Sequence, residues 1–307
     1  MKAMVTTKYG PPEVLQLQQV EKPSPRRHEV LIKIHATTVE SGDCRARSCN
    51  LSGVPFLQRV LARLVLGISK PRNPIQGLWL AGEIEAVGKS VTKFKPGDQV
   101  VARTPDLKFG AYAQFTCQSE KSRMALKPAN LSFEEAVAIP FGGVTALYFL
   151  RKHGIQRGQN VLIYGASGAV GVSAVQIANS FEAKVTGVCG TANLGMVKSL
   201  GADAVMDYTQ EDFTAGHASF DLIFDCVGKI SRARCQNILK PEGKYISVAT
   251  SGHVKFGADD LMVLKELVES GKLKPVLDRT YRLEELAEAH RYVDQGHKRG
   301  SVVIQVS

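Results

Sequence analysis

Apolar side chains recur with two different spacings along this chain, and the spacing changes near Leu131. Before Leu131, stretches such as 29–36 and 81–88 contain alternating apolar positions, the period of a half-buried β-strand. After Leu131, short apolar runs alternate with segments of helical spacing, a pattern typical of a parallel sheet wound with helices on both faces. The pattern therefore predicts a strand-rich first part and a second part of alternating strands and helices.

The second part is regular enough to predict element by element. Ser132 and Glu135 form a capping box that opens a short helix ending before Pro140, and a second helix covers 144–153. The order then continues with strand 160–164, helix 168–180, strand 183–189, helix 193–200, strand 204–207, strand 220–225, helix 231–239 and strand 244–249. Helices over 260–270 and 283–295 and a strand over 301–306 follow, and we expect these last elements to return to the first part.

The most informative local feature is a run of glycines between strand 160–164 and helix 168–180. Gly168 and Gly171 complete an A-x-G-x-x-G spacing that begins at Ala166. A strand, a tight glycine turn and a helix N-terminus together direct backbone N–H groups at a diphosphate. Gly168 would let the phosphates approach the backbone, and Gly171 would let the helix pack closely on the strand. We therefore predict a dinucleotide site, with an ordinary glycine-rich turn as the alternative.

The composition is that of an ordinary globular protein, with 307 residues, 44% of them hydrophobic and 22% charged. No apolar run reaches the length of a membrane span, and the first residues lack the apolar segment of a signal peptide, so the expected location is cytoplasmic. The six cysteines include no C-x-x-C pair and no four-ligand zinc spacing. A net charge of +10 without blocks of lysine or arginine favours a phosphate-rich small ligand over nucleic acid.

One segment has an unusual charge distribution. From Cys44 to Gly82 the chain contains six basic residues and no acidic residue. Residues 54–67 within it have the spacing of an amphipathic helix, with Arg59 and Arg63 on one face. The other face carries Phe56, Leu57, Val60, Leu61 and Leu64. Exposing such side chains forgoes about 1.5–3 kcal/mol each. We therefore expect this face to be covered by the protein itself, by a partner subunit or by a membrane surface.

Six motifs together carry a family resemblance that extends over nearly the whole chain. They lie at 80–88, 95–101, 143–147, 165–171, 199–203 and 224–228. At these spacings the chain resembles the medium-chain dehydrogenase/reductase superfamily, in particular its zinc-free quinone oxidoreductase (zeta-crystallin-like) branch. The resemblance implies an α/β fold with a GroES-like, β-rich substrate domain over 1–120, completed by 262–307. It further implies a Rossmann dinucleotide-binding domain, with a doubly wound parallel sheet, over 121–261.

The same resemblance predicts that the protein works without zinc. The positions that hold catalytic zinc in other members of the superfamily correspond to Glu40, Leu78 and about Phe141, and Trp79 replaces the acidic residue that follows. Leucine and phenylalanine cannot ligate a metal, and one carboxylate alone cannot hold catalytic zinc. The four-cysteine lobe of zinc members is also missing, because the stretch 103–110 is short and contains no cysteine.

The resemblance also implies which residues bind the cofactor. The diphosphate would be bound by Ser167, Gly168, Ala169 and Val170. Thr145 would lie against the nicotinamide ring. The path of the nicotinamide and its ribose would be lined by Cys226, Val227, Ala249 and Thr250.

The second strand of the dinucleotide fold indicates the coenzyme. NAD-specific sites place a carboxylate at the end of this strand to bind the ribose 2′-hydroxyl, whereas no acidic residue lies between Glu182 and Asp203 here. Thr191 and Asn193 offer hydrogen bonds, and the resemblance adds Tyr208 against the 2′-phosphate. We therefore predict NADPH. The preference over NADH is expected to be modest, because relatives often carry an arginine in place of Ala192.

The predicted reaction is hydride transfer from the reduced nicotinamide to a quinone or an α,β-unsaturated carbonyl, since such acceptors need little acid assistance. Glu40, Asp43 and Arg45 are the candidates for orienting substrate or water. The alternative is that Glu40 and Asp43 only cap a helix and pair with local arginines.

A second hypothesis, motivated by the basic segment and the missing general acid, is an NADPH-binding protein of low turnover associated with an acidic membrane surface or RNA. The connection 252–259 is shorter than in typical relatives, which puts their usual dimer in doubt and leaves both a monomer and a homodimer open.

Overall fold

The computed structural model describes residues 1–50, 56–105, 108–215 and 219–306. The chain forms two compact units. The first consists of Met1–Ala138 and Leu277–Ser307, and the second of Ile139–Val276. The C-terminal residues thus belong to the first unit.

The first unit is built mainly from antiparallel strands. A two-stranded sheet contains β1 (Lys2–Thr6) and β2 (Leu15–Gln19). The main sheet contains β3 (Glu29–Val39), β4 (Trp79–Val87), β5 (Gln99–Arg103), β6 (Phe115–Ser119), β7 (Met124–Leu126), β13 (Leu277–Arg282) and β14 (Ser301–Gln305). Its strand order is β13-β14-β3-β4-β5-β7, with β6 also paired to β3. Only β13 and β14 run parallel to each other.

Four helices accompany these strands in the described part of the first unit: α1 (Ser41–Ser48), α2 (Phe56–Leu66), α3 (Phe133–Ala138) and α8 (Leu286–Asp294). Ile32 and Ile34 of β3 are fully buried in one core with Leu286 and Ala289 of α8. Burying each large apolar side chain contributes about 1.5–3 kcal/mol. This core explains why α8, far along the chain, belongs to the same unit as β3.

The predicted capping box at the start of α3 is confirmed. The Glu135 amide donates to Ser132 Oγ at 3.2 Å, and the Ser132 amide donates to the Glu135 carboxylate at 2.9 Å. Residues 121–138 belong to the first unit because β7 pairs with β5 and α3 contacts β3, β4 and β14. The compact units therefore change at Ile139 and at Leu277, rather than at the sequence-based bounds near 121 and 262.

The described residues of the chain do not cover the apolar face of α2, contrary to the first of the three alternatives above. Val60, Leu61 and Leu64 are 41%, 63% and 50% exposed. The side chains of Phe56 and Leu57, which the sequence places on the same face, lie outside the described residues.

The second unit contains a parallel sheet of five strands: β8 (Asn160–Tyr164), β9 (Lys184–Cys189), β10 (Ala204–Asp207), β11 (Phe220–Asp225) and β12 (Leu239–Ser247). Their order is β10-β9-β8-β11-β12, with all neighbours parallel. The helices are α4 (Pro140–Lys152), α5 (Ala169–Ser180), α6 (Leu194–Ser199) and α7 (Ala258–Glu269). These elements confirm the predicted alternation, apart from one segment.

The helix predicted over 231–239 is wrong. Turns occupy 232–235, a single 3-10 turn covers Gln236–Ile238, and β12 begins at Leu239. Ser231 Oγ accepts from the Arg234 amide at 3.2 Å, a bond that can cap a first helical turn. The helix does not continue, because the chain enters β12 at Leu239, which pairs with Phe220 of β11. The buried Asp225 carboxylate fixes the loop before this segment, accepting from the Ile230 amide at 3.2 Å.

One stretch, Phe133–Lys152, is long and apolar enough to cross a membrane, which the sequence analysis did not recognise. It comprises two helices, α3 and α4, and 67% of its apolar window is buried inside the protein. Its composition is therefore explained by packing in the protein interior.

Candidate functional site

The strand order of the second unit reverses between β8 and β11, because β9 and β10 extend from one side of β8 and β12 extends from the other. Loops that leave the carboxyl ends of β8 and β11 therefore diverge and leave a crevice. The predicted cofactor residues follow the carboxyl ends of the five strands, apart from Thr145 on α4. The sheet topology thus brings residues from distant parts of the sequence to one edge.

The glycines after β8 have the two roles that the sequence predicts. A Cβ added at Gly171 would overlap the Gly165 carbonyl oxygen, so the helix packs closely here. A Cβ at Gly168 would meet only that same oxygen, at an ordinary 3.6 Å. Gly168 caps α5 in an extended conformation, and the first amides of a helix have no intrahelical partner. The space above Gly168 is therefore available to a ligand that accepts hydrogen bonds.

Helix α4 lies directly beside this turn. A Cβ at Gly142 would overlap the carbonyl oxygen of Ala169, the first residue of α5, so the two helices meet there at backbone distance. Thr145 follows Gly142 on α4, is 8% exposed, and donates its hydroxyl proton to the Phe141 carbonyl at 2.8 Å. The Thr145 oxygen consequently keeps lone pairs that can accept a hydrogen bond.

The loop after β11 is held by the fully buried Asp225. One carboxylate oxygen accepts from the amides of Val227 and Gly228 at 3.0 and 2.8 Å. This fixes Cys226 and the exposed side chain of Val227 beside the β8 turn, where a Cβ at Gly165 would overlap Val227. Burial raises the pKa of the Cys226 thiol well above its ordinary value, with the Asp225 charge adding to the effect, so the thiol stays protonated.

The loop after β12 contributes less fixed structure. Ala249 and Thr250 are exposed, and the Ala249 amide donates to Ser247 Oγ at 3.2 Å. Ala249 lies against the β11 loop, because a Cβ added at Gly228 would be 2.7 Å from the Ala249 Cβ.

The ends of β9 and β10 contain an acidic residue that the sequence argument missed. Asp207, 7% exposed at the end of β10, accepts from the Thr191 hydroxyl at 2.5 Å and the Thr209 hydroxyl at 2.7 Å. These hydrogen bonds, with Thr191 first, lower the pKa of Asp207, which stays ionised. Asp207 lies beyond the interval from Glu182 to Asp203, and the parallel pairing of β10 with β9 brings it level with Cys189 at the end of β9.

Two other predicted residues lie at the same place. The Tyr208 hydroxyl is near the end of β9, 3.6 Å from where a Gly190 Cβ would lie, and Tyr208 is 48% exposed. Asn193 follows on the same loop, and its Oδ1 is a buried atom with no hydrogen-bond partner within the described residues. An acceptor of this kind fits a hydroxyl of a ribose.

In the first unit, a buried polar cluster surrounds Glu40, which directly follows β3. Glu40 is 2% exposed, and its Oε2 accepts from Lys298 Nζ at 2.8 Å. Lys298 also donates to the Gly300 carbonyl at 2.8 Å. Asp43 accepts from the Glu40 amide at 2.8 Å and caps α1. The cap contact of Asp43 is thus present, and the ionic partner of Glu40 is Lys298 from the C-terminal segment and not a local arginine.

Burial dominates the electrostatics of this cluster. It raises the pKa of Glu40, and the Lys298 ammonium opposes that rise. Burial also raises the pKa of Asp43, from 3.8 to about 7; the Glu40 amide lowers it and the Glu40 charge adds to it. Each carboxylate keeps one oxygen, Oε1 of Glu40 and Oδ1 of Asp43, without a partner among the described residues. The cluster can therefore hold a proton near neutral pH.

Arg45 is not part of this cluster, since it is exposed on α1 while Glu40 and Asp43 are buried. Lys298 is the residue that sequence reasoning missed. It lies 258 positions from Glu40, and no motif links the two. Only the return of the C-terminal segment to the first unit brings them together.

Two of the three residues at the positions that hold zinc in other members of the superfamily, Leu78 and Phe141, have side chains that cannot ligate a metal. Leu78 precedes the buried Trp79 at the start of β4. Over the described ranges, no group of three or more histidine, cysteine, aspartate or glutamate side chains is placed to hold a metal ion. All six cysteines are free thiols.

Comparison with protein families agrees with this geometry. Residues 26–154 match the family described as "Alcohol dehydrogenase GroES-like domain". Residues 169–273 and 252–304 match two families described as "Zinc-binding dehydrogenase". Together these matches cover more than half of the chain.

Individual relatives match over nearly the full chain. A 2-methylene-furan-3-one reductase of Solanum lycopersicum is 33% identical, covering 99% of this chain and 79% of the relative. An NADPH-dependent alkenal/one oxidoreductase of Arabidopsis thaliana is 30% identical, with the same coverage. The quinone oxidoreductase structure from Coxiella burnetii superposes with a TM-score of 0.86 at 27% identity, covering 100% of this chain and 99% of that one.

The first unit is thus GroES-like and the second has the Rossmann type of parallel sheet. The chain belongs to the quinone oxidoreductase branch of the medium-chain dehydrogenase/reductase superfamily, and it is an NAD(P)H-dependent oxidoreductase.

Proposed function

We propose that this enzyme reduces quinones or α,β-unsaturated carbonyls with NADPH and without zinc. The observation that carries the proposal is the glycine turn after β8, where Gly168 leaves open space at the N-terminus of α5. The three relatives are named for a furanone, for alkenals and alkenones, and for quinones, which are all electron-poor acceptors. Such acceptors suit a hydride donor without a metal.

The second unit contains the hydrogen-bond donors and acceptors that a dinucleotide requires. A bound reduced nicotinamide supplies the hydride. The amides of Ala169, Val170 and Gly171 would donate to diphosphate oxygens, with Ser167 beside them. Thr145 would accept from the carboxamide group, because its own proton already goes to Phe141. These contacts fix the position of the ring, and correct positioning supplies much of the barrier reduction in such reactions.

Preference for NADPH rests on the end of β9. Tyr208 and the exposed residues Thr191 and Ala192 leave room for a 2′-phosphate. The Asp207 carboxylate works in the other direction, because its charge repels a phosphate and its hydrogen bond occupies the Thr191 hydroxyl. We infer a preference for NADPH that is weaker than in enzymes with an arginine at this place.

The first unit supplies the polar groups for the acceptor. Glu40 occupies a position that the superfamily uses at its reacting centre, and it holds the ammonium group of Lys298 at that position. The Lys298 ammonium is positioned by Glu40 and would stabilise negative charge that develops on the acceptor oxygen. Asp43, with its pKa of about 7, is the proton-holding group next to this pair.

The test is NADPH oxidation by the purified, metal-free enzyme with a panel of para-quinones, short alkenals and enones, set beside a panel of saturated ketones. We expect turnover with the electron-poor acceptors, little with the saturated ketones, and a higher kcat/KM for NADPH than for NADH. Turnover of saturated ketones only after zinc is added would contradict the proposal. Tight NADPH binding without turnover of any acceptor would favour the low-turnover binding protein. The cytoplasmic location stays a prediction.

A further inference from the structure

Half of the large exposed apolar side chains in the described part of the chain lie within nine residues of one another. The ten are Leu17, Val60, Leu61, Leu64, Val65, Ile68, Leu126, Tyr208, Val227 and Met262. Five of them, Val60 to Ile68, belong to α2 or follow directly after it, with exposures between 41% and 66%. We call these five residues the α2 patch. Soluble proteins seldom leave such a cluster uncovered unless it binds something.

The α2 patch forms one continuous face. At about 100° per residue, Val60, Leu64, Leu61 and Val65 follow one another around the helix within an arc of about 140°. Leu66, on the other side, is less exposed. The apolar arc therefore points away from the unit on which the helix rests.

Basic side chains flank this face. Arg59 and Arg63 are exposed one turn apart on the helix, and Lys70 and Arg72 are exposed just after it. Arg63 donates to the Ile68 carbonyl at 3.2 Å, which keeps its charge at the edge of the α2 patch. The sequence between Cys44 and Gly82 contains no acidic residue.

The basic side chains beside the α2 patch favour an anionic lipid surface over a second copy of this chain as its binding partner. A second copy docked by a two-fold axis with antiparallel α2 helices would place the two basic flanks side by side, and like charges at an interface cost energy. An anionic lipid surface binds both the apolar arc and the basic flank. The apolar arc enters the boundary of the acyl chains, and the basic flank contacts the headgroups. We propose that α2 docks this enzyme on anionic membrane surfaces, which goes beyond the reductase function and does not depend on it.

The test is co-sedimentation of the full chain with vesicles of phosphatidylcholine alone or with phosphatidylserine added, over a range of salt concentrations. We expect binding to the anionic vesicles that weakens as salt rises, and little binding to the neutral ones. Leu61→Ser with Leu64→Ser should lower the partition coefficient about tenfold or more, because two exposed apolar side chains no longer enter the lipid. Met262→Ser, which removes an equally exposed apolar side chain from α7, is the matched control and should change nothing.

Charge is tested separately with Lys70→Gln and Arg72→Gln. This pair should weaken binding to anionic vesicles severalfold. Lys89→Gln with Lys121→Gln removes the same charge from exposed sites elsewhere and should have a smaller effect. Unfolding curves and NADPH oxidation without vesicles should be the same for all variants.

Three outcomes would overturn the proposal. The first is equal vesicle binding by the wild type and the leucine double variant. The second is a dimer that the double variant converts to a monomer, without vesicle binding by either. The third is salt-sensitive binding to polyglutamate or RNA that exceeds vesicle binding. Loss of vesicle binding with retained turnover leaves the proposed reductase function intact, so the two proposals fail independently.

Discussion

Gly168 and Gly171 look alike in the sequence, but their surroundings give them different consequences on substitution. We expect Gly168→Ala to fold with nearly the stability of the wild type, since the new Cβ has room and the backbone is extended. It should bind NADPH at least tenfold more weakly, because the methyl group occupies the space in front of the α5 amides. Calorimetric titration and thermal unfolding measure the two effects.

Gly171→Ala is the matched control for that substitution. Its Cβ would overlap the Gly165 carbonyl oxygen, so we expect a loss of about 1–3 kcal/mol in the free energy of unfolding. If Gly168→Ala binds NADPH as tightly as the wild type, the diphosphate does not lie above this glycine.

Asp43 makes the free energy of unfolding depend on pH, and its raised pKa sets the direction of that dependence. Its pKa is raised from 3.8 to about 7 in the folded protein, so the folded state binds the proton more tightly than the unfolded state. Raising the pH from about 4 to about 7 therefore lowers the free energy of unfolding through this group. Asp43→Asn removes the effect while keeping an oxygen that accepts from the Glu40 amide.

The difference in free energy of unfolding between Asp43→Asn and the wild type should therefore grow in favour of the variant between pH 4 and 7 and then level off. The expected size is up to a few kcal/mol, since one pKa unit corresponds to about 1.4 kcal/mol. Chemical denaturation at several pH values measures it. A difference that stays constant from pH 4 to 8 would show that Asp43 ionises normally.

The Lys298–Glu40 pair allows a structural role to be separated from a role in turnover. Lys298→Met should destabilise the protein by about 3–5 kcal/mol, because it leaves a buried charge without a partner. The double variant Lys298→Met with Glu40→Gln should regain most of this stability, since no lone charge remains. We expect kcat with quinones or enones to stay about tenfold or more below the wild type in the double variant, with the affinity for NADPH unchanged.

Denaturation curves, steady-state kinetics and NADPH titrations distinguish these effects. Lys89→Met, at an exposed site, is the control for loss of a lysine. Full kcat in the double variant would show that the pair only stabilises the fold.

At the scale of elements, apolar spacing predicted helices and strands correctly where the residues of the element itself define its bounds. Strand β8 was predicted with its observed bounds, and α5 begins within one residue of the prediction, because four apolar residues and a glycine turn define the junction. The prediction for 231–239 was wrong because β12 begins within this segment, at Leu239, which pairs with Phe220 of β11. A helical spacing alone does not reveal pairing with a strand distant in the sequence.

In the proposed function, coenzyme choice depends on the ends of two neighbouring strands, β9 and β10. Ala192→Arg adds a cation at an exposed position after β9. We expect it to raise the ratio of kcat/KM for NADPH over NADH about tenfold or more, because a charge-assisted bond to phosphate contributes about 1.5–3 kcal/mol. Ala192→Gln, similar in length and uncharged, should change the ratio little.

Steady-state kinetics with both coenzymes at low and high salt measure this ratio, and the gain should shrink as salt rises. An unchanged ratio in Ala192→Arg would place the 2′-phosphate elsewhere.

At the scale of the whole molecule, the motifs were enough to identify the family and its two types of domain. They were not enough to assemble the site in the first unit, because Lys298 reaches Glu40 only through the return of the chain after Leu277. They also could not show that the α2 patch stays exposed, since an amphipathic pattern is the same for a covered helix and an uncovered one. In both cases the structure depends on contacts between residues far apart in the sequence, which local motifs do not predict.

The proposed reaction is direct hydride transfer from NADPH to an electron-poor carbon without a metal. It is tested most directly by following deuterium from NADPH labelled on either face of C4, with enzyme whose metal content is determined on the same sample. We expect one label to appear at the β-carbon of a reduced enone while the protein contains no stoichiometric zinc. A product that carries no label from either form, or labelling that requires stoichiometric zinc, would contradict the claim.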